Sequence, residues 1–289
     1  MVMPNFLIIG AQKAGTTALY SFLKQHPQIY MSPIKEPHFF TYEGEKLNYS
    51  NPVVITNIED YCNLFPEVSK GIVMGEASPS YIYSPRAPER IQHYIPEAKL
   101  IAILRHPAER AYSNFIFNIQ KGNEPLKDFA QALREEETRI SNNWGFPWHY
   151  KHKGFYYTQM KRYFDRFDQS QIRVYLYEDL NTNLVSVLQS IFQFLGVDET
   201  FMPDVSHRSN VSLVPKNEIM HALVTRLNPA KRVLKMYLPE RFHGYIKSQV
   251  FDKPPLLQPE IRRQLIDVYR EDILQLQDLI QQDLSSWLE

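Results

Sequence analysis

Cysteine is nearly missing: Cys62 is the only one in 289 residues. A single thiol forms no internal disulfide and cannot build a Cys₄ or Cys₂His₂ metal site. Glycine is scarce, at ten residues against twenty prolines. No apolar run approaches the roughly 18–20 residues of a membrane span. The first such run, 6–11, is short and has no basic residue before it, so it does not read as a secretory leader. Net charge is missing too, because 32 Lys and Arg balance 32 Asp and Glu. That excludes a surface built throughout for nucleic acid or an anionic membrane. Together these absences predict a cytoplasmic globular protein with no transmembrane segment and no nucleic-acid partner.

What remains is ordinary globular composition, 44% hydrophobic and 22% charged. Short apolar runs at 5–9, 71–75, 99–104 and 171–177 read as buried strands. Helical spacing fills 108–120, 126–140, 156–167 and 182–195, and an amphipathic helix is expected within 259–289. Strands separated by helices need crossover connections, which predicts an α/β fold with a central parallel sheet flanked by helices. No repeat or linker interrupts the chain, so 1–289 reads as a single domain. Ligands of such sheets bind at the carboxyl ends of the strands, where Gly10, Glu76, Arg105 and Glu178 are expected.

Two of the ten glycines fall within the first such loop. Gly10-Ala-Gln-Lys13-Ala14-Gly15-Thr16-Thr17 follows a strand and opens a helix. A loop of this kind offers backbone N–H groups and a positive helix end to an anion. The spacing is similar to a Walker A loop, but Thr16 stands where that motif needs lysine, and the lysine has moved to position 13. The strand 99–104 ends in Arg105 rather than in an Mg²⁺-binding aspartate. The reading is a phosphate-ester loop that works without a metal ion.

The loop resembles the 5′-phosphosulfate loop of sulfotransferases that use 3′-phosphoadenosine 5′-phosphosulfate (PAPS), in the heparan-sulfate-type and bacterial branch. The segment Arg105-His-Pro-Ala-Glu-Arg-Ala-Tyr-Ser113 resembles that family's 3′-phosphate site. The resemblance implies a P-loop-kinase-like sulfotransferase fold, PAPS as donor and 3′-phosphoadenosine 5′-phosphate (PAP) as product. It implies cofactor contacts from Lys13, Ala14, Gly15, Thr16, Thr17 and Ala18, and from Arg105 and Ser113. Tyr156, in a Gly154-Phe-Tyr segment, lies near the cofactor in the same reading. Arg208, Ser209 and Asn210 are candidates from a late basic stretch, 205–250, which carries eight Lys and Arg against two Asp and Glu. The ending Asp283-Leu-Ser-Ser-Trp287-Leu288 looks like that of many bacterial members.

Lys35-Glu36-Pro-His38-Phe39-Phe40 resembles the family's segment carrying the general base. Glu36 matches the base and His38 shares or orients it, with Lys13 the third catalytic candidate. Phe39 and Phe40 are expected to wall Glu36 and so raise its pKa. Glu76-Ala77-Ser78-Pro resembles an acceptor-side segment, with Ala77 where the family carries lysine. Lys35, Glu76, Ser78, Trp144 and Trp148 are the acceptor-side candidates, the tryptophans from an aromatic stretch at 142–157 that suits rings or acyl chains. His149 and His152 have metal-like spacing but no further ligand, so no metal is expected. The acceptor hydroxyl or amine is left open among carbohydrate, lipid and other small molecules, as is the oligomeric state. A P-loop-related nucleotide kinase and a non-catalytic module for phosphoadenosine nucleotides or anionic polymers are the alternatives.

Overall fold

The computed structural model describes residues 2–47, 54–67, 69–205, 214–216 and 251–289. Five strands form one parallel sheet: β1 (Phe6–Gly10), β2 (Ile29–Met31), β3 (Val73–Ala77), β4 (Lys99–Leu104) and β5 (Ile172–Leu176). Their order is β2-β3-β1-β4-β5. Every residue of β1 is buried, as are five of the six in β4. Parallel strands covered on both faces read as continuous apolar runs, and Phe-Leu-Ile-Ile and Leu-Ile-Ala-Ile-Leu are such runs.

Helix α1 (Thr16–Leu23) follows β1, and α2 (Phe39–Tyr42) and α3 (Ile58–Cys62) lie between β2 and β3. Helix α4 (Ala87–Tyr94) joins β3 to β4. Four helices lie between β4 and β5: α5 (Pro107–Lys121), α6 (Phe129–Arg134), α7 (Glu136–Ser141) and α8 (Tyr156–Phe164). Helices α9 (Tyr177–Thr182) and α10 (Leu184–Leu195) follow β5, and a long helix spans Pro259–Ile280. Among the described residues no helix is long and apolar enough to cross a membrane.

Packing groups the chain into two compact units. The first comprises Met1–His106, Tyr156–Ser209 and Glu271–Leu288, and holds the five-stranded sheet. The second comprises Pro107–Phe155, Asn210–Arg270 and Glu289, and holds a short antiparallel pair, β6 (Val214–Pro215) with β7 (Phe251–Asp252).

Three expectations need correction. Strand β2 was not anticipated, because three residues are too few to show a period. Strand β3 begins and ends two residues later than 71–75, which brings Glu76 inside the sheet rather than past its end. The helix expected at 126–140 breaks at Glu135 into α6 and α7. At the break Glu136 turns inward and accepts the backbone N–H groups of Lys151 and His152, at 2.6 and 2.8 Å.

Gly75 pairs with Phe6 across the β3–β1 ladder. A Cβ at Gly75 would lie 2.2 Å from the Phe6 ring, which is itself fully buried. Gly75→Ala is therefore expected to destabilise the fold by about 1–3 kcal/mol through overpacking. Chemical denaturation reads this directly; an unchanged midpoint would mean that the Phe6 ring can give way.

Candidate active site

The loop after β1 belongs to the first unit. Gly15 caps α1 with φ 94°, the left-handed region that glycine enters freely. A side chain there would crowd Leu180 and Tyr177 at 3.1 and 3.2 Å. Lys13 also has a positive φ, 71°. Helix α1 starts with no side-chain cap and no acidic residue in its first turn. The positive end of its dipole is thus not offset from within the helix, a fit for an anion. Ala14 and Thr16 are buried, and Thr17 and Ala18 are half-buried.

Arg105 leaves the carboxyl end of β4, the strand next to β1. Its Nη1 donates to the Lys13 carbonyl at 3.4 Å, and its guanidinium lies 4.8 Å from the centre of the Tyr177 ring. The Tyr156 hydroxyl donates to the Arg105 carbonyl at 3.1 Å. Trp287 is buried against the rings of His106 and Tyr156, with centroids 6.1 and 6.2 Å away. The C-terminal motif noticed in the sequence thus packs behind the Arg105 segment. Glu178, expected at the same edge, lies in α9 and accepts the His106 N–H at 3.5 Å. Ser113 lies in the second unit, buried in α5. In that unit Glu109 pairs with Arg262, and the buried Arg110 donates to the Tyr150 carbonyl. Arg208, Ser209 and Asn210 lie outside the described residues.

The Lys35–His38 loop is tied to the end of β3. The Glu36 N–H donates to the Ala77 carbonyl at 3.0 Å. Glu36 and His38 both have left-handed backbone, with φ 62° and 57°. The Lys35 ammonium contacts Glu36 Oε1, and His38 Nε2 lies 3.7 Å from Glu36 Oε2. His38 Nδ1 is 2.7 Å from the Ser80 hydroxyl, which is 2.8 Å from that of Thr41. One imidazole nitrogen is therefore held by a hydroxyl pair while the other faces the carboxylate. The Glu36 side chain is 36% exposed. Phe39 and Phe40, expected to wall it, are core residues instead: both are fully buried, and Phe39 stacks on Tyr61 at 4.3 Å.

Beside this loop, the carboxylate with a raised pKa is Glu76. It is fully buried, and burial pushes its pKa up to about 7 against the hydrogen bonds of Tyr81, Ser78 and Tyr61 and the charge of Lys35. The Ser78 hydroxyl donates to Glu76 Oε2 at 2.9 Å, and Tyr61 donates to Oε1 at 3.3 Å. Ser78 is fully buried as well. No sequence signal marks which of several carboxylates the fold buries; Glu76 stands out in the sequence through its motif and its place at the end of an expected strand.

Trp144 and Trp148 lie in the second unit. Their rings meet edge-on at 5.1 Å, and Trp148 Nε1 donates to the Asn123 carbonyl at 3.1 Å. Arg139 lies over the Trp144 ring at 4.9 Å. His149 bonds to the Trp144 carbonyl and His152 to Glu137. The same unit holds an apolar cavity of about 410 Å³, lined in part by Tyr112, Phe115, Ile116, Phe129 and Ile261. None of its described lining residues belongs to the aromatic stretch at 142–157.

Residues 3–277 match the model of the family described as the sulfotransferase domain. Mouse bifunctional heparan sulfate N-deacetylase/N-sulfotransferase 4 is 33% identical over 205 residues, covering 68% of this chain and 22% of that protein. The membrane-associated sulfotransferase kil1 of Dictyostelium discoideum is 35% identical over 147 residues, covering 48% of this chain and 29% of that protein. The chain therefore spans between a fifth and a third of the length of these two relatives. Among solved structures, a sulfotransferase from Alicyclobacillus acidocaldarius aligns with a TM-score of 0.78 at 29% identity, covering 100% of both chains.

Proposed function

The chain belongs to the sulfotransferase domain family, and from that premise we propose that it moves a sulfuryl group from PAPS to an acceptor hydroxyl or amine. The observation that carries the reading is the order of groups along the carboxyl edge of the sheet. The Glu36–His38 pair is tied to the end of β3, the Lys13 loop leaves β1, and Arg105 leaves β4. Those three strands are consecutive neighbours in the sheet. A proton acceptor, a cationic anion loop and a second anion anchor thus follow one another in the sequence that acceptor, phosphosulfate and far phosphate require.

The donor set fits such a nucleotide. Lys13 and the start of α1 form a site for the 5′-phosphosulfate, with Ala14 through Ala18 supplying the loop backbone and the threonine hydroxyls. Arg105 offers the planar fork suited to a phosphate, and Tyr156 braces its backbone. The family resemblance keeps Ser113, in the second unit, as a candidate for phosphate contact. When bound, the donor supplies an activated sulfuryl group. Glu36 takes the acceptor proton, with His38 held ready beside it, and Lys13 offsets charge growing on the leaving phosphate oxygen. Glu76 and Ser78 are both buried, so neither serves as a direct contact for the acceptor in this arrangement. Lys35, Trp144 and Trp148 remain acceptor-side candidates. The printed names of the relatives point to carbohydrate, heparan sulfate among them, as the first acceptor class to screen. Ala77 stands where the heparan-type segment carries a cation, which argues against the most heavily sulfated acceptors. Read this way, 1–289 is one sulfotransferase domain, and the continuous family match across both packing units supports it.

Calorimetric titration with PAP, with ATP-Mg²⁺ as comparator, tests the cofactor. PAP is expected to bind without added metal. Arg105→Ala is expected to weaken it about 10- to 100-fold, the loss of a charge-assisted anchor. Binding of ATP-Mg²⁺ with none of PAP would replace the sulfotransferase reading with that of a kinase.

A further inference from the structure

We propose that Glu76 is a positioning residue for the Glu36–His38 pair, its buried carboxylate orienting the hydroxyls of Ser78 and Tyr81 so that each accepts a backbone N–H from the loop carrying the pair. The inference rests on the reading of Glu36 and His38 as the proton-accepting pair. An ionised carboxylate can only accept hydrogen bonds. Ser78 Oγ lies 2.9 Å from Glu76 Oε2, so its one proton is committed there. Its lone pairs are left for the His38 N–H, 3.1 Å away. The Tyr81 hydroxyl repeats the arrangement: it is hydrogen-bonded to Glu76 and receives the Phe40 N–H at 3.4 Å. Tyr61 completes the shell of donors at 3.3 Å.

The loop needs such restraint. Glu36 and His38 are both left-handed and neither is glycine, a conformation that persists only where the surroundings impose it. Three alternate amides are caught in turn. That of Glu36 goes to the Ala77 carbonyl, that of His38 to Ser78 and that of Phe40 to Tyr81. Two of the three captures depend on hydroxyls whose direction Glu76 sets. A carboxyl group kept at full burial, with its pKa pushed up to about 7, is otherwise a liability in a strand.

The test compares Glu76→Gln, Ser78→Ala, Ser78→Thr and Tyr81→Phe with the parent protein. Each is assayed for kcat, for PAP affinity and for hydrogen exchange of the amides of residues 36–40. Glu76→Gln and Ser78→Ala are expected to lower kcat about 10- to 100-fold, the effect of a misplaced catalytic pair, with PAP affinity unchanged. Exchange is expected to speed up at His38 and Phe40 in Glu76→Gln, at His38 alone in Ser78→Ala and at Phe40 alone in Tyr81→Phe. Ser78→Thr, which keeps the hydroxyl, is expected to restore both kcat and His38 protection. Parent-like kcat in Glu76→Gln would overturn the proposal, as would a uniform loss of protection across the loop and β3. Should Glu76→Gln not fold, the opposed patterns of Ser78→Ala and Tyr81→Phe decide. Should the parent fail to bind PAP, the functional reading falls on that result, and the exchange pattern still judges the relay.

Discussion

Glu36→Gln is expected to lower turnover about 100- to 10,000-fold, the range for removing a positioned general base, and to leave PAP affinity unchanged. Glutamine keeps the size of the side chain and a similar tolerance of the left-handed backbone at this position, where φ is 62°. Only the charge and the proton-accepting power go. His38→Ala separates the two candidates. With Glu36 as the acceptor, His38 works through its Nε2, 3.7 Å from the carboxylate, and its loss should hurt less than that of Glu36. The reverse order would make His38 the base, with Ser80 holding its Nδ1. In either case the double variant should fall little below the worse single one, because the two groups act as a unit. Lys13→Ala should differ in kind, since Lys13 belongs to the anion loop: it should weaken PAP as well as slow transfer. Parent-like turnover in Glu36→Gln would remove that residue from the chemistry.

These expectations hang on a layout that was partly legible in the sequence. The two segments proposed to hold the phosphates were, because each follows a short continuous apolar run that reads as a buried strand, and a glycine or an arginine ends it. That the strands before the Lys13 loop and Arg105 are neighbours is a fact of the sheet order, which the sequence does not state. The base segment was legible as a motif but not as an environment. Its two phenylalanines are expected to wall Glu36, whereas in the core Phe39 stacks on Tyr61 and Phe40 meets the same ring edge-on. That partner sits in α3, twenty-one residues after Phe40, and no local period announces such a contact. The same holds for Glu76. A strand bearing a carboxylate looks like a strand end, and the three hydroxyls that admit it to the interior come from α3 and from the turn after β3. Short elements escaped for a simpler reason: β2 has three residues, and a strand of that length is defined by the neighbour it pairs with.

Because Glu76 is buried, the stability of Glu76→Gln relative to the parent should rise with pH, while its activity stays lower. The folded carboxyl group binds its proton with a pKa of about 7, against 4.5 for the free group. The folded state thus keeps the proton over a range in which the unfolded chain has released it. Its contribution to stability is complete below pH 4.5 and is lost as pH rises through 7, beyond which the folded state carries a buried charge. The groups facing it do not reverse this. Tyr61 and Tyr81 are held neutral, their own pKa values raised well above 10, and Lys35 already counts among the influences that draw Glu76 down. The advantage of Glu76→Gln over the parent should therefore grow by about 3 kcal/mol between pH 4 and pH 8. Asp272, also pushed up to about 6 by burial, titrates equally in both proteins and drops out of the difference. Denaturant unfolding at the two pH values measures it, and a difference independent of pH would mean that Glu76 is ionised in the folded state as easily as in water. A variant that is sturdier at pH 8 yet slower cannot owe its slowness to a damaged fold. What it has lost is the charge that keeps two hydroxyls pointed inward and, through them, holds a strained loop in place.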